Sequence, residues 1–215
     1  MVIQVGEIYP SNNYGDMEVI EYVNSKKIKV RFIATGYERY TTSQYIRNGG
    51  IKDLFAPSVY GVGYIGDGLF KATNSGKINK VYNTWHDMLK RCYDPATQVR
   101  QPTYVGCSVN KEWHNFQVFA TWFEEHYIDG YHLAKDIKVP GNKVYGPDTC
   151  TFVSQAKNNE AARSRKTIFR NPEGDPVEVY NITAFVKEHG LHRGHLSSVN
   201  RGERTQHKGW TLYKE

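Results

Sequence analysis

Cysteine is scarce in this chain, and what there is does not pair. Cys92, Cys107 and Cys150 are well separated and odd in number. That excludes a disulfide framework and the paired Cys-x-x-Cys spacing of a structural zinc site, and leaves free buried thiols as the simplest reading. Long apolar runs are missing too: none approaches the roughly 18 residues that a membrane span requires. The first residues, MVIQVGEIYP, lack the basic-then-apolar order of a secretory leader. Together these features predict a cytoplasmic protein with no membrane partner. No repeat or low-complexity tract occurs. At 39% apolar and 23% charged residues, the composition excludes wholesale disorder. The 215 residues exceed one average domain and leave room for two or three small ones.

Charge of one sign is unevenly spread. The formal net charge is +6, with a balance of 0 over residues 1–70, +2 over 71–153 and +4 over 154–215. A basic C-terminal end suits a polyanionic partner. The 16 tyrosines would serve a protein interface as well as strands and cores, so inhibition of another protein is a further, weaker reading.

Hydrophobic spacing divides the chain into three parts and a connector, all of the α+β class. Residues 1–55 alternate like short strands: in KKIKVRFI the apolar Ile28, Val30 and Phe32 point one way, and Lys27, Lys29 and Arg31 the other. Turn signals between the runs predict a small barrel of SH3-like type, whose basic outer face could rest on phosphates. Residues 56–77 carry glycines at 61, 63, 66, 68 and 76 and read as a linker. In residues 78–166, Val81, Trp85, Met88, Leu89 and Cys92 mark an amphipathic helix ended by Pro95. Trp113, Phe116, Phe119, Ala120, Phe123 and Tyr127 mark a second helix, whose aromatics at helical spacing form core. A strand, a turn region rich in Gly and Pro, a short strand over 150–153 and a helix from about Ser154 follow. Residues 167–215 read as two short helices about Gly190, with Asn181 as N-cap, Phe185 and Val186 inward, and Leu196 and Val199 lining the second helix. Two short helices about a Gly turn describe a helix-turn-helix. Its second helix would present Arg193, His195, Ser197, Ser198, Asn200 and Arg201 to phosphates and base edges.

The middle part carries a joint pattern: Tyr82-x-x-Trp85-x-x-Met88-x-x-Arg91-Cys92-Tyr93, then Gly106-Cys107-x-Val109-x-x-x-Trp113-x-x-Phe116, then Leu133-x-Lys135-Asp136-Ile137-x-x-x-Gly141-Asn142-Lys143-x-Tyr145-x-Pro147-x-x-Cys150. Over residues 78–166 this resembles the HNH-type endonucleases of bacteriophages, with their ββα-metal hairpin. The last part resembles the helix-turn-helix modules attached to phage and intron homing endonucleases, notably at Leu191, Leu196, Val199, Gly202 and His207-Lys208-Gly209-Trp210. The resemblance implies double-stranded DNA as substrate, a divalent cation, Mg²⁺ or Mn²⁺, a phage origin and hence the host-cell cytoplasm.

Hydrolysing a phosphodiester needs a water activated by a general base and a cation that offsets developing charge. In the HNH family an Asp-His pair ends the first strand, a loop Asn orients the His, and a His or Asn on the helix completes the metal site. Carried over, the loop Asn is Asn142 and the helix ligand is Asn158 or Asn159. The Asp-His pair falls on Ala134-Lys135, neither of the expected type. Two replacements offer themselves. Asp136 would bind the metal, with Lys135 as base if its pKa were lowered. Alternatively His132 would act as base, on the same strand face as Asp136 but about 13 Å away at ~3.3 Å per residue. Lys143, Arg163, Arg165, Lys166 and Lys208 are expected on the DNA backbone. The sequence therefore predicts either a metal-dependent DNA endonuclease with a non-standard site, or a DNA-binding protein built on a degenerate nuclease hairpin.

Overall fold

A computed structural model describes residues 2–139, 141–163, 167–180 and 182–213. The architecture is mixed α and β, organised around three separate apolar cores that follow one another along the chain. Among the described residues no helix is long and apolar enough to cross a membrane.

The first core lies under β1 (Ile8–Pro10), β2 (Asp16–Asn24), β3 (Lys27–Phe32) and β4 (Glu38–Thr41), an antiparallel sheet paired in that order. Period-two alternation in β3 buries Ile28, Val30 and Phe32 against Met17 and Val19 of β2. A barrel requires its first and last strands to pair. Among the described residues β4 pairs with β3 alone, so the sheet is an open meander rather than the predicted barrel. The chain instead turns into α1 (Ser43–Arg47), and Ile46 from that helix joins the core.

The second core is the largest. A two-residue hairpin, β5 (Thr73–Asn74) and β6 (Lys77–Ile78), leads into α2 (Lys80–Tyr93), which Asn79 caps by accepting from the Tyr82 N–H at 2.8 Å. Pro95 does not simply end this helix. It occupies the first position of α3 (Pro95–Arg100), where its missing N–H costs nothing, and the Asp94 carboxylate caps the new helix from the Thr97 N–H at 3.1 Å. After β7 (Ser108–Val109) and a 3₁₀ turn over Lys111–His114 comes α4 (Phe116–His126). Trp85, Met88 and Leu89 of α2 and Trp113, Phe116 and Phe119 are all fully buried, as the helical spacing predicts for core aromatics. The Trp85 indole N–H meets its need for a partner by donating to the Trp113 carbonyl at 2.7 Å.

The chain then forms β8 (His132–Ala134), β9 (Val144–Tyr145), β10 (Thr151–Val153) and α5 (Gln155–Arg163). β8 and β10 pair antiparallel, with Ala134 opposite Thr151 and His132 opposite Val153. β9 reaches back to pair in parallel with β7. The order strand, loop, strand, helix is thus present, with α5 packed on β8.

The Gly-rich segment read as a linker is part of this core. Val59, Tyr60, Val62, Ile65 and Phe70 pack against it. The backbone of Tyr64 brackets the start of α4, donating to the His114 carbonyl and accepting from the Phe116 N–H, both at 2.9 Å. The Gln117 amide donates to the carbonyls of Ile65 at 3.2 Å and Phe70 at 3.0 Å and accepts from the Phe70 N–H at 3.0 Å. Gly63 is here for closeness of approach: a Cβ at that position would collide with Leu89 and Trp85.

The third core is covered by β11 (Thr167–Arg170), β12 (Pro176–Val179), α6 (Ile182–Glu188), α7 (Arg193–Asn200), β13 (Gln206–His207) and β14 (Trp210–Leu212), with sheet order β12-β11-β14-β13. Phe185 and Val186 of α6 and Leu196 and Val199 of α7 meet Phe169, Val179 and Trp210. Gly190, at φ +61°, makes the turn between the helices. The predicted N-cap, Asn181, lies outside the described residues. The two short helices are therefore held by a four-stranded sheet that the local sequence pattern does not announce.

Replacing Gly63 by Ala is expected to destabilise the protein by about 1–3 kcal/mol, the range for overpacking a filled core. Urea denaturation checks this; a linker glycine would change stability by less than about 0.5 kcal/mol.

Candidate nucleic-acid interface and hairpin site

At the end of β8, Lys135 and Asn142 hold each other. The Lys135 ammonium donates to the Asn142 carbonyl at 2.9 Å, and the Asn142 amide donates to the Lys135 carbonyl at 2.7 Å. The same amide donates to the Val144 carbonyl at 2.6 Å, while its oxygen accepts from the Val144 N–H at 3.1 Å. Both ends of the Asn142 side chain are therefore spent on the loop backbone. Gly141, at φ +76°, lets the chain double back to make this possible.

Lys135 is buried, with only 9% of its side chain exposed, whereas the neighbouring Asp136 is 49% exposed. The ammonium lies 3.5 Å from the Asp136 carboxylate and 5.9 Å from the centre of the Tyr145 ring. Its hydrogen-bonding capacity is directed at a carbonyl, a carboxylate and an aromatic face, the partners a buried cation needs. Nothing in this arrangement directs Lys135 outward as a base.

His132 is exposed on β8. The strand stops at Ala134, so the alternation that would place His132 and Asp136 on one face does not continue to Asp136. On α5, the Asn159 oxygen accepts from the Gln155 amide at 2.8 Å, one helical turn away, and Asn158 is half-buried. The side chain of Arg163, together with Arg165 and Lys166, lies outside the described residues.

The donor set expected to hold Mg²⁺ or Mn²⁺ is Asp136, Asn158 and Asn159. It contains one carboxylate, already beside an ammonium, and two neutral amides, one of them paired. Magnesium sites rely on carboxylates together with substrate phosphates, and a fixed ammonium beside the single carboxylate opposes a second cation. Among the described residues no group of three or more His, Cys, Asp and Glu side chains is arranged to hold a metal. These residues do not by themselves make a divalent-cation site.

The cysteines are unpaired thiols. All three are free and buried in the second core. Burial pushes the Cys92 thiol up to about 12 and the Cys150 thiol up to about 11, so neither is a thiolate at neutral pH.

In the C-terminal part, α7 is divided into faces. Leu196 and Val199 are buried, while Arg193, His195, Asn200 and Arg201 are exposed and Ser197 and Ser198 are half-buried. Arg201 is held by a two-armed contact with Glu203 at 2.7 and 2.8 Å, and also donates to Ser198 at 3.1 Å. Beneath the helix start, buried His207 accepts from the His192 N–H at 3.0 Å. Burial first, then the neighbouring His195 and cations, hold the His207 pKa below the usual histidine value, which keeps that acceptor neutral. Lys208 donates to the Gly190 carbonyl at 2.8 Å and so braces the turn before α7. Lys143 is similarly engaged, with the Thr103 carbonyl at 2.9 Å.

Two of the three cations on the basic face of β3 are compensated. Lys29 and Arg31 both pair with Glu38, at 2.7 and 2.9 Å, and hold its carboxyl below the usual range. Sequence reasoning passed over a different basic group, Lys90, Arg91 and Arg100, although Lys90 and Arg91 stand three and four residues after Asp87 on the polar side of α2.

No protein-family model matches the chain, and comparison with curated proteins gives no significant match. A solved structure described as DNA binding and cleavage by the HNH homing endonuclease I-HmuI is similar to it at 24% identity, covering 46% of this chain and 66% of that one, with a TM-score of 0.23. The chain thus spans just under two-thirds of the length of that neighbour, and the likeness is distant.

An Asn142→Ala variant is expected to lose about 1–3 kcal/mol of stability, because it removes the side-chain partner of the Lys135 carbonyl and of the Val144 N–H, while the Val144 carbonyl keeps the Thr149 hydroxyl. Chemical denaturation measures it. An asparagine present only to orient a catalytic base would cost little stability when removed.

Proposed function

We propose that the protein binds double-stranded DNA through α7 and that its HNH-like hairpin serves as a scaffold for binding, without hydrolysing the backbone. The division of α7 into faces carries the binding reading. Arg193, His195 and Asn200 face solvent on a helix whose other side is locked into the third core. Arginine and asparagine are the side chains that read guanine and adenine edges by paired hydrogen bonds in the major groove. The +4 balance of residues 154–215 supplies attraction to phosphates.

The reciprocal Lys135–Asn142 contact carries the second half of the proposal. Hydrolysis asks the first strand's end for a base and the loop asparagine for an orienting hydrogen bond. Here the asparagine is spent on backbone groups and the lysine points into the fold. One observation favours a nuclease instead: Asp136 keeps about half of its side chain exposed and remains the residue to which a phosphate-bound cation would come.

Fluorescence anisotropy against duplexes selected from a random pool tests the assignment of α7. Combining Arg193→Ala with Asn200→Ala should weaken binding by about 1–3 kcal/mol for each base interaction removed and flatten the preference among sequences. Unchanged preference in that variant would mean that another surface reads the DNA.

A further inference from the structure

On the outer side of α2 and α3 lies an open cleft of about 430 Å³ lined by Asp87, Lys90, Arg91, Thr97, Arg100 and Gln101. We infer that this cleft is a second nucleic-acid contact, one that takes a backbone phosphodiester without reading sequence. The inference rests on the DNA-binding reading above but concerns a surface that lies apart from α7.

Three cations line the cleft against one carboxylate. None of the three makes an ion pair within 4 Å among the described residues, unlike Lys29 and Arg31 of β3. The other nearby acid, Asp94, is occupied by capping α3, its carboxylate accepting from both the N–H and the hydroxyl of Thr97. Positive charge left uncompensated in a concave wall concentrates field on an incoming anion.

Arg91 gives the cleft a rigid floor. Its guanidinium stacks 5.6 Å from the centre of the Tyr104 ring and its side chain reaches Tyr145. A fixed, planar donor fork suits a phosphate, whose oxygens accept two parallel hydrogen bonds. Lys90, directly before Arg91, is half-buried, and Arg100, at the end of α3, is exposed. Gln101 and the Lys90 and Arg100 side chains supply further donors, the mixture of cations and neutral amides that phosphate contacts use.

Beneath the cleft, Arg91 is tied to the hairpin through a buried side chain. Tyr145 of β9 is hydrogen-bonded by Arg91, and its ring centre lies 5.9 Å from the Lys135 ammonium.

The experiment uses the full-length protein and anisotropy titrations of random-sequence duplex over a range of salt concentrations. Its two variants are Lys90→Ala with Arg100→Ala, and Arg193→Ala with Asn200→Ala. Lys90 and Arg100 are on helix surfaces and alanine keeps the helices, so an unchanged melting curve accompanies the first variant. That variant should weaken binding about equally for all sequences and reduce the slope of log affinity against log salt by about 2, one for each phosphate interaction removed. Sequence preference should remain as in the parent protein. An unchanged slope in a parent that binds DNA overturns the cleft while leaving the reading of α7 intact. A parent that binds no duplex overturns both. Saturable binding of inorganic phosphate that the variant abolishes, with the duplex slope unchanged, would overturn the assignment to nucleic-acid backbone in favour of a free phosphate ligand.

Discussion

A buried lysine needs partners, and the way Lys135 finds them shapes the region on which the functional reading turns. Its ammonium reaches the Asn142 carbonyl, and Asn142 in return takes the Lys135 carbonyl and both backbone groups of Val144. A loop of this length closed only by backbone turns would be free to move. Closed by a charge-assisted bond over the face of Tyr145, it is tied to the second core and, through β9, to β7. Lys135 and Asn142 are thus part of the support of the fold.

That support extends outward in layers. Behind the hairpin, Trp85 and Trp113 join α2 to the start of α4, and the Gly-rich segment wraps their open side with its backbone bonded to the 3₁₀ turn and α4. A rigid central body results, with β1 to β4 before it in the chain and the α6–α7 module after it, each with its own core. Unpaired cations line the cleft of α2 and α3, and α7 exposes Arg193 beside His195 and Asn200. Those surfaces are distinct in chemistry. The first offers a concave set of guanidinium and ammonium groups; the second offers a convex helix that exposes an arginine, a histidine and an asparagine.

Much of this was legible in the sequence where local spacing decides structure. Residues three and four apart place α2 and α4, period-two alternation places β3, and Gly190 separates α6 from α7 because a left-handed turn is needed there. What escaped depends on contacts between distant residues. Gly63 and Gly68 read as flexible because composition says nothing of Leu89, Trp85 or Gln117 waiting across the fold. Pro95 reads as a stop, though Asp94 beside it makes a new helix start. Strands β11 to β14 are two to four residues long, and the β11–β14 pairing that joins their two hairpins spans both helices, so no local pattern announces the sheet. At the hairpin the sequence placed Lys135, Asp136 and Asn142 close together, yet it could not say which way the lysine points, because that depends on the path of the loop around Gly141.

The measurement that bears most directly on the central claim is incubation of the purified protein with supercoiled plasmid in Mg²⁺ or Mn²⁺, beside an EDTA control and an Asp136→Ala variant. The expected result is plasmid that is retarded on a gel yet stays supercoiled under all of these conditions. Metal-dependent nicking that disappears in the variant would contradict the claim, and would make the exposed Asp136 carboxylate the centre of a nuclease that works without the usual histidine.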